Sequence, residues 1–288
     1  MIKRLFRKCK SLLILGRYNY PTGIFLLFWP CLWGLSIQIN EFANFIKYTF
    51  LFAAGALIMR GAGCCINDII DRNIDSKIKR TKNRPLVTGK VTIKEAIIFT
   101  TLQLLVGLLI LFQFNLKIII FGFMIMPLVI LYPLFKRVTY FPQVILGIVF
   151  NWGIVLGYLV ENLSIDFRVF CLYFAGTVMT VAYDTIYGMQ DVQYDIKNQV
   201  KSFSIKIMSK PMLSLSCIYG VSLIFFSFFF LSMNTDLFTR LLFLSIILLL
   251  FAAQITFLLR NVRLKVIFDF NSFTGGIIWL LIFTGNYL

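Results

Sequence analysis

Apolar stretches of near-uniform length divide this chain, at residues 23–39, 48–66, 93–114, 117–132, 144–159, 167–183, 213–231, 237–258 and 268–288. Each is near the ~20 residues that a helix needs to cross a bilayer. They predict an all-α membrane protein of about nine transmembrane helices, one domain over residues 1–288. The segments between them are short and polar. Residues 1–17 carry Lys3, Arg4, Arg7, Lys8, Lys10 and Arg17 ahead of the first stretch, which resembles the basic end of a signal peptide. That first stretch, however, holds Trp29, Pro30 and Trp33 and no small-residue cleavage site, so it reads as an uncleaved span.

Composition agrees with the pattern. At 59% hydrophobic and 14% charged residues, the chain lies well beyond the roughly 45–50% apolar content of soluble domains, and the lipid bilayer is its expected surrounding. The net charge of +16 does not point to nucleic acid, because the cations are gathered between apolar runs. One set of alternate segments holds residues 1–17, 72–94, 136–137, 197–210 and 260–265 with 23 Lys and Arg, and the other holds Lys47, Lys117, Arg168 and Arg240. This asymmetry places the first set in the cytoplasm. Histidine is absent, so metal binding and proton transfer fall to carboxylates, amides, phenols and water. Of the six cysteines, Cys31, Cys64, Cys65, Cys171 and Cys217 lie in or beside apolar runs and Cys9 in the basic tail, with no Cys-x-x-Cys pair; they read as small buried hydrophobes.

Half of the twelve acids fall in two segments on the cytoplasmic side, 67–92 and 184–210. In the first, Asn67, Asp71 and Asp75 recur every fourth residue, with Asp68 beside them, and so share one helical face. In the second, Asp184, Asp191 and Asp195 are spaced for one face as well. Carboxylates packed this closely repel one another unless a hard cation lies between them, and Mg²⁺ takes such oxygen ligands together with substrate phosphates. All seven are candidate metal ligands, and Asp71, Asp75, Asp191 and Asp195 are the candidate catalytic carboxylates. Four apolar stretches separate the segments, so both return to one membrane face, as two four-helix halves plus one helix around a central cavity would bring them. Arg60 lies within the second stretch, where a charge costs about 2.5–3.5 kcal/mol to insert. It needs an anionic partner, either an internal carboxylate or a substrate in the cavity. Arg72, Lys79, Arg80 and Lys136 stand with it as candidates for contact with a diphosphate.

These residues resemble the UbiA superfamily of intramembrane prenyltransferases, most closely the bacterial 4-hydroxybenzoate polyprenyltransferases. The stretches RYNYPTGIFLLFWPCLW (17–33), RGAGCCINDIIDRNIDSKIKRTKNRPLVTGKVT (60–92), LYPLFKRVTYFPQVILG (131–147) and AYDTIYGMQDVQYDIKNQVKS (182–202) follow that pattern in order and spacing. The resemblance implies that Asn67, Asp71, Asp75, Asp191 and Asp195 hold two Mg²⁺ ions on a polyprenyl diphosphate. It also implies that Tyr132 and Lys136 form a Tyr-x-x-x-Lys element beside the substrate in a cytoplasmic connection, 132–143. The implied acceptor is 4-hydroxybenzoate, prenylated on its ring as a step of ubiquinone biosynthesis, with Arg17, Tyr132 and Arg137 as candidates for holding it. Homogentisate, a dihydroxynaphthoate and haem are alternative acceptors, and an acidic-site cation transporter is an alternative of another class. Against the transporter, both acid clusters lie at one membrane face rather than at the midplane.

Overall fold

Ordinary capping chemistry sets the helix ends. Asn115, Asp166 and Asp236 each accept a backbone N–H at a helix start, and Thr92 with Glu95 forms a capping box. The computed structural model describes residues 2–37, 41–78, 80–162 and 164–287. The helices are α1 (Ile2–Leu15), α2 (Thr22–Leu35), α3 (Phe42–Ile70), α4 (Arg72–Asp75), α5 (Ile93–Leu111), α6 (Leu116–Val138) and α7 (Pro142–Tyr158). After them come α8 (Phe167–Gly188), α9 (Val192–Lys197), α10 (Phe203–Lys206), α11 (Pro211–Leu231), α12 (Leu237–Leu259) and α13 (Leu264–Tyr287), with a single tighter 3₁₀ turn, Met189–Asp191, between α8 and α9.

The long helices form a closed ring in chain order. Each of α2, α3, α5, α6, α7, α8, α11, α12 and α13 packs on its successor, and α13 closes the ring against α2. The two expected halves meet along α2 and α7, the first helix of each, which are the most extensively packed pair. Glycine makes this possible. A Cβ at Gly34 of α2 would overlap the carbonyl oxygen of Ile154, and one at Gly157 of α7 would overlap that of Cys31, so the two backbones touch directly. Buried polar side chains tie other pairs. Asn151 donates to Thr180 (2.8 Å), Trp33 to the carbonyl of Gly275 (2.9 Å), and Gln254 accepts from both Tyr219 (2.7 Å) and Asn271 (3.0 Å). In contrast, α5 and α6 turn Leu102, Leu109, Ile120 and Met124 outward, as lipid-facing helices do.

Seven of these helices are long and apolar enough to cross a membrane by themselves, while α2 and α7, at 14 and 17 residues, are shorter. Two closures bear on the short pair. Arg17, before α2, is ion-paired with Asp68 at the end of α3, and Arg80, before α5, with Asp191 after α8. Each closure needs an even number of crossings between its partners, which α2 and α7 complete. Nine crossings are therefore expected, and cysteine labelling tests them. With the exposed Cys9 and Cys217 replaced by serine, an impermeant maleimide should reach Lys77→Cys and Lys210→Cys from the same side of sealed vesicles and Asn234→Cys from the other. Lys77→Cys and Lys210→Cys reacting from opposite sides would mean that α7 does not cross.

Two local expectations are corrected. The region after residue 132 is not a connection: α6 continues to Val138 through Pro127 and Pro133, so Tyr132 and Lys136 stand on a helix. Proline within membrane helices is tolerated where neighbours compensate for the lost hydrogen bond. The second acid-rich segment is likewise not one helix, because the 3₁₀ turn interrupts it between Asp184 and Asp195.

Candidate active site

At 29 residues, α3 is roughly 43 Å long by the helical rise of about 1.5 Å per residue. It overshoots a hydrocarbon core of about 30 Å, so its acidic end reaches the polar boundary. Asp71 is the joint at which α3 stops and α4 begins, and its N–H still bonds to the carbonyl of Asn67 at 2.8 Å. Across the ring, the 3₁₀ turn and α9 bring Asp191 and Asp195 to the same depth. The segment after α9 is held by Lys201, which donates from its backbone N–H to the Lys136 carbonyl (2.8 Å) and from its side chain to that of Val138 (3.0 Å). Between these walls lies a cavity of about 720 Å³. Asn67, Asp68, Asp71, Asp75, Asp184, Asp191 and Asp195 all line it, as do Arg17, Arg60, Arg80, Tyr132 and Lys136. Below this charged mouth the walls become apolar, with Phe52, Leu108, Phe114, Phe123, Phe150 and Trp152.

Most of the carboxylates meet a cation of the chain. Arg80 Nε bonds both oxygens of Asp191 at 3.1 Å, and its guanidinium lies 5.3 Å over the ring of Tyr187, whose hydroxyl it also contacts (3.2 Å). Burial works against the Arg80 cation, yet Asp191 and Tyr187 outweigh it and raise its pKa above the ordinary value. Lys136 Nζ is 3.5 Å from Asp71 and 5.7 Å over the ring of Tyr132. Arg84 pairs with Asp68 (2.9 Å) and with Asp75. Burial pushes the Asp75 carboxyl up, more than Arg84 pulls it down.

Asp68 and Arg17 depart from the roles expected of them. Asp68 is 2% exposed and accepts two hydrogen bonds from Arg17 (2.8 and 2.9 Å) and one from Arg84. Arg17 also donates to the carbonyls of Ile14 and Leu15 and adopts a left-handed backbone, φ 60°, where α1 ends. It terminates that helix and locks it to α3, so its fork is fully engaged. Arg137 and Arg72 do not line the cavity; Arg137 is exposed and donates to the Ile70 carbonyl at 3.3 Å. Lys79 lies outside the described residues. Arg60 makes no ion pair within 4 Å among the described residues, and Asp184 of α8, on the same cavity, is the carboxylate on which its charge acts at longer range. Two lining residues, Tyr187 and Tyr20, escaped the sequence reading of the site. They gave no signal in the sequence beyond their proximity to motifs, whereas Arg84, in the basic run after Asp75 that reads as a set of phosphate contacts, does line the cavity.

The donor set around Asn67 consists of oxygens, as a divalent hard cation requires. Among the described residues no three acids are gathered tightly enough to hold one ion, but Asn67 Oδ1 is buried with no hydrogen-bond partner. An orphaned oxygen at the head of an all-oxygen cluster suits Mg²⁺.

A ring of apolar helices, with carboxylates and cations at the mouth of one apolar cavity, defines a multi-pass membrane protein. The chain belongs to the UbiA prenyltransferase family, whose model matches residues 27–274. It is 43% identical over 209 residues to the mitochondrial 4-hydroxybenzoate polyprenyltransferase of Drosophila pseudoobscura pseudoobscura, covering 72% of this chain and 52% of that protein. With the 4-hydroxybenzoate octaprenyltransferase of Blochmanniella pennsylvanica it shares 39% identity over 207 residues, 71% of each chain. The chain thus spans about half the length of the mitochondrial relative. Among solved structures, a UbiA homolog from Aeropyrum pernix K1 superposes with a TM-score of 0.76 over 91% of this chain and 97% of its own, at 22% identity. A UbiA homolog from Archaeoglobus fulgidus bound to GPP and Mg²⁺ gives 0.73 over 96% and 100%, at 14% identity. At such identities these two show the shared fold.

Proposed function

We propose that the protein transfers a polyprenyl group from polyprenyl diphosphate to the ring of 4-hydroxybenzoate, releasing diphosphate, as a step of ubiquinone biosynthesis. The observation that carries this reading is the pair of carboxylate clusters, each interleaved with cations, at the mouth of one apolar cavity. The names of the relatives support the acceptor, and the Archaeoglobus fulgidus structure, with its GPP and Mg²⁺, supports the donor class and the metal. We read the charged mouth as facing the cytoplasm of a bacterial inner membrane, on the strength of the Lys/Arg asymmetry.

In this mechanism Asn67, Asp71 and Asp75 on one wall, and Asp191 and Asp195 on the other, would hold Mg²⁺, which supplies positive charge against the leaving diphosphate. Arg80 and Lys136, which line the same mouth, would donate to diphosphate oxygens. Asp68 keeps its place with Arg17 and Arg84. The allylic C–O bond breaks, the diphosphate leaves with the electron pair, and the apolar walls keep water from the resulting cation while aromatic faces such as Phe150 stabilise it. The ring carbon beside the phenol attacks, and its proton leaves to a carboxylate or to the diphosphate.

The test is turnover of purified protein with a prenyl diphosphate and an acceptor panel of 4-hydroxybenzoate, homogentisate and a dihydroxynaphthoate. Prenylated 4-hydroxybenzoate should form with one diphosphate released, should vanish in excess chelator and should return with Mg²⁺. Preference for another acceptor would overturn the substrate assignment, and full turnover in chelator the metal's role. A protein that releases no diphosphate at all would not be a prenyltransferase.

A further inference from the structure

The first helix, α1, takes no part in the ring and presents two unlike faces. On one, Leu12 and Leu15 join Cys65 of α3, Leu86 after α4 and Ala96 of α5 in a buried cluster. Lys8, on the same side, donates to the Lys90 carbonyl at 3.0 Å and pairs with Glu95. These contacts, with Arg17 bound to Asp68 at its end, hold α1 level with the part of α3 that reaches the polar boundary. The opposite face carries Phe6, Cys9 and Leu13, whose spacing of three and four residues puts them in one stripe. All three are exposed, Phe6 to 72% and Leu13 to 50%. Arg7 and Lys10 border the stripe along one edge; both are exposed and neither is ion-paired among the described residues.

An apolar stripe edged by cations, on a helix fixed at the depth where hydrocarbon gives way to water, has the pattern of a helix that lies in the headgroup layer. We propose that α1 docks on a phospholipid surface of net negative charge, with Phe6, Cys9 and Leu13 entering the acyl boundary and Arg7 and Lys10 meeting phosphates beside it. The charge of the surface follows from the two unpaired cations, which a zwitterionic headgroup repels with its own ammonium as it attracts them with its phosphate, whereas an anionic headgroup only attracts. Long basic side chains reach phosphate while their methylene stems stay over the acyl region. A second copy of the chain is a poorer occupant. A stable protein interface buries roughly 800 Å² on each partner, and three side chains on a short helix are too narrow a patch for that.

Fluorescence quenching on the full chain tests this. Cys217→Ser leaves Cys9 as the only exposed cysteine among the described residues, so a bimane can be attached there. In bilayers of phosphatidylcholine and phosphatidylglycerol, brominated lipids should quench that bimane, and bromines near the acyl carbonyls should do so more than bromines near the chain ends. Brominated phosphatidylglycerol should act at a lower mole fraction than brominated phosphatidylcholine by about 5- to 30-fold, the enrichment that one to two cations give at roughly fivefold each. The preference should shrink in high salt, which screens exposed charge. Arg7→Gln with Lys10→Gln should erase it, and Arg7→Lys with Lys10→Arg should retain it; both side chains are exposed and unpaired, so neither pair of substitutions disturbs the packing of α1. Equal quenching by the two lipids in the parent protein, or a preference that survives the double Gln variant, would overturn the proposal. So would a bimane that aqueous iodide quenches and lipid bromines do not, or efficient Cys9 to Cys9 cross-linking with the label shielded from lipid, which would assign the stripe to a second copy.

Discussion

Asp71→Ala and Asp191→Ala are each expected to reduce prenyl transfer by at least about 100-fold while the protein still inserts and remains monodisperse. Loss of a group that merely orients a metal ligand costs about 10–100-fold, and removing a ligand should exceed that. Both residues sit at joints outside the apolar faces, Asp71 between α3 and α4 and Asp191 in the 3₁₀ turn, so neither supports the packing of the ring. Their present partners, Lys136 and Arg80, reach the cavity independently of them. Asp68→Ala supplies the contrast. It would strand Arg17 beside an empty space and leave Arg84 with Asp75 alone, and breaking a buried pair costs about 3–5 kcal/mol, so its effect should appear first in stability. Diphosphate release and thermal unfolding measured on the same preparations separate the two outcomes. Near-native rates in either of the first two variants would refute the paired-carboxylate site.

Gly157→Leu should lower the unfolding temperature by roughly 5–10 °C, since overpacking costs about 1–3 kcal/mol even where side chains can move. Here the obstacle is backbone. A Cβ at residue 157 would overlap the Cys31 carbonyl oxygen and sit 2.7 Å from the Leu35 nitrogen, neither of which can rotate away. In lipid no hydrophobic force draws helices together, so close approach between small residues carries the association. Gly220→Leu is the control, because nothing lies within 4 Å of a Cβ there. A native melting curve for Gly157→Leu, followed by tryptophan fluorescence in detergent, would show that α2 and α7 are not in backbone contact.

The apolar stretches were legible because insertion is governed by transfer free energies that add along a segment, with no partner needed. The same holds for the side on which the basic segments lie. The acid clusters were legible too, since a four-residue spacing brings carboxylates to one face of any helix.

What no local pattern carries is the fate of one charged residue against its neighbour. Asp68 and Asp71 differ by less than one turn, yet Asp68 is bound by Arg17 from α1 and by Arg84, while Asp71 faces Lys136 across the cavity. Arg17, Arg60 and Arg137 are alike in chemistry, and one ends a helix, one lies free in the cavity and one rests on the outside. Helical period and composition are properties of a single segment. Which cation meets which carboxylate depends on helices distant in the chain closing a ring, and the low dielectric inside that ring makes each pairing, or its absence at Arg60, energetically decisive.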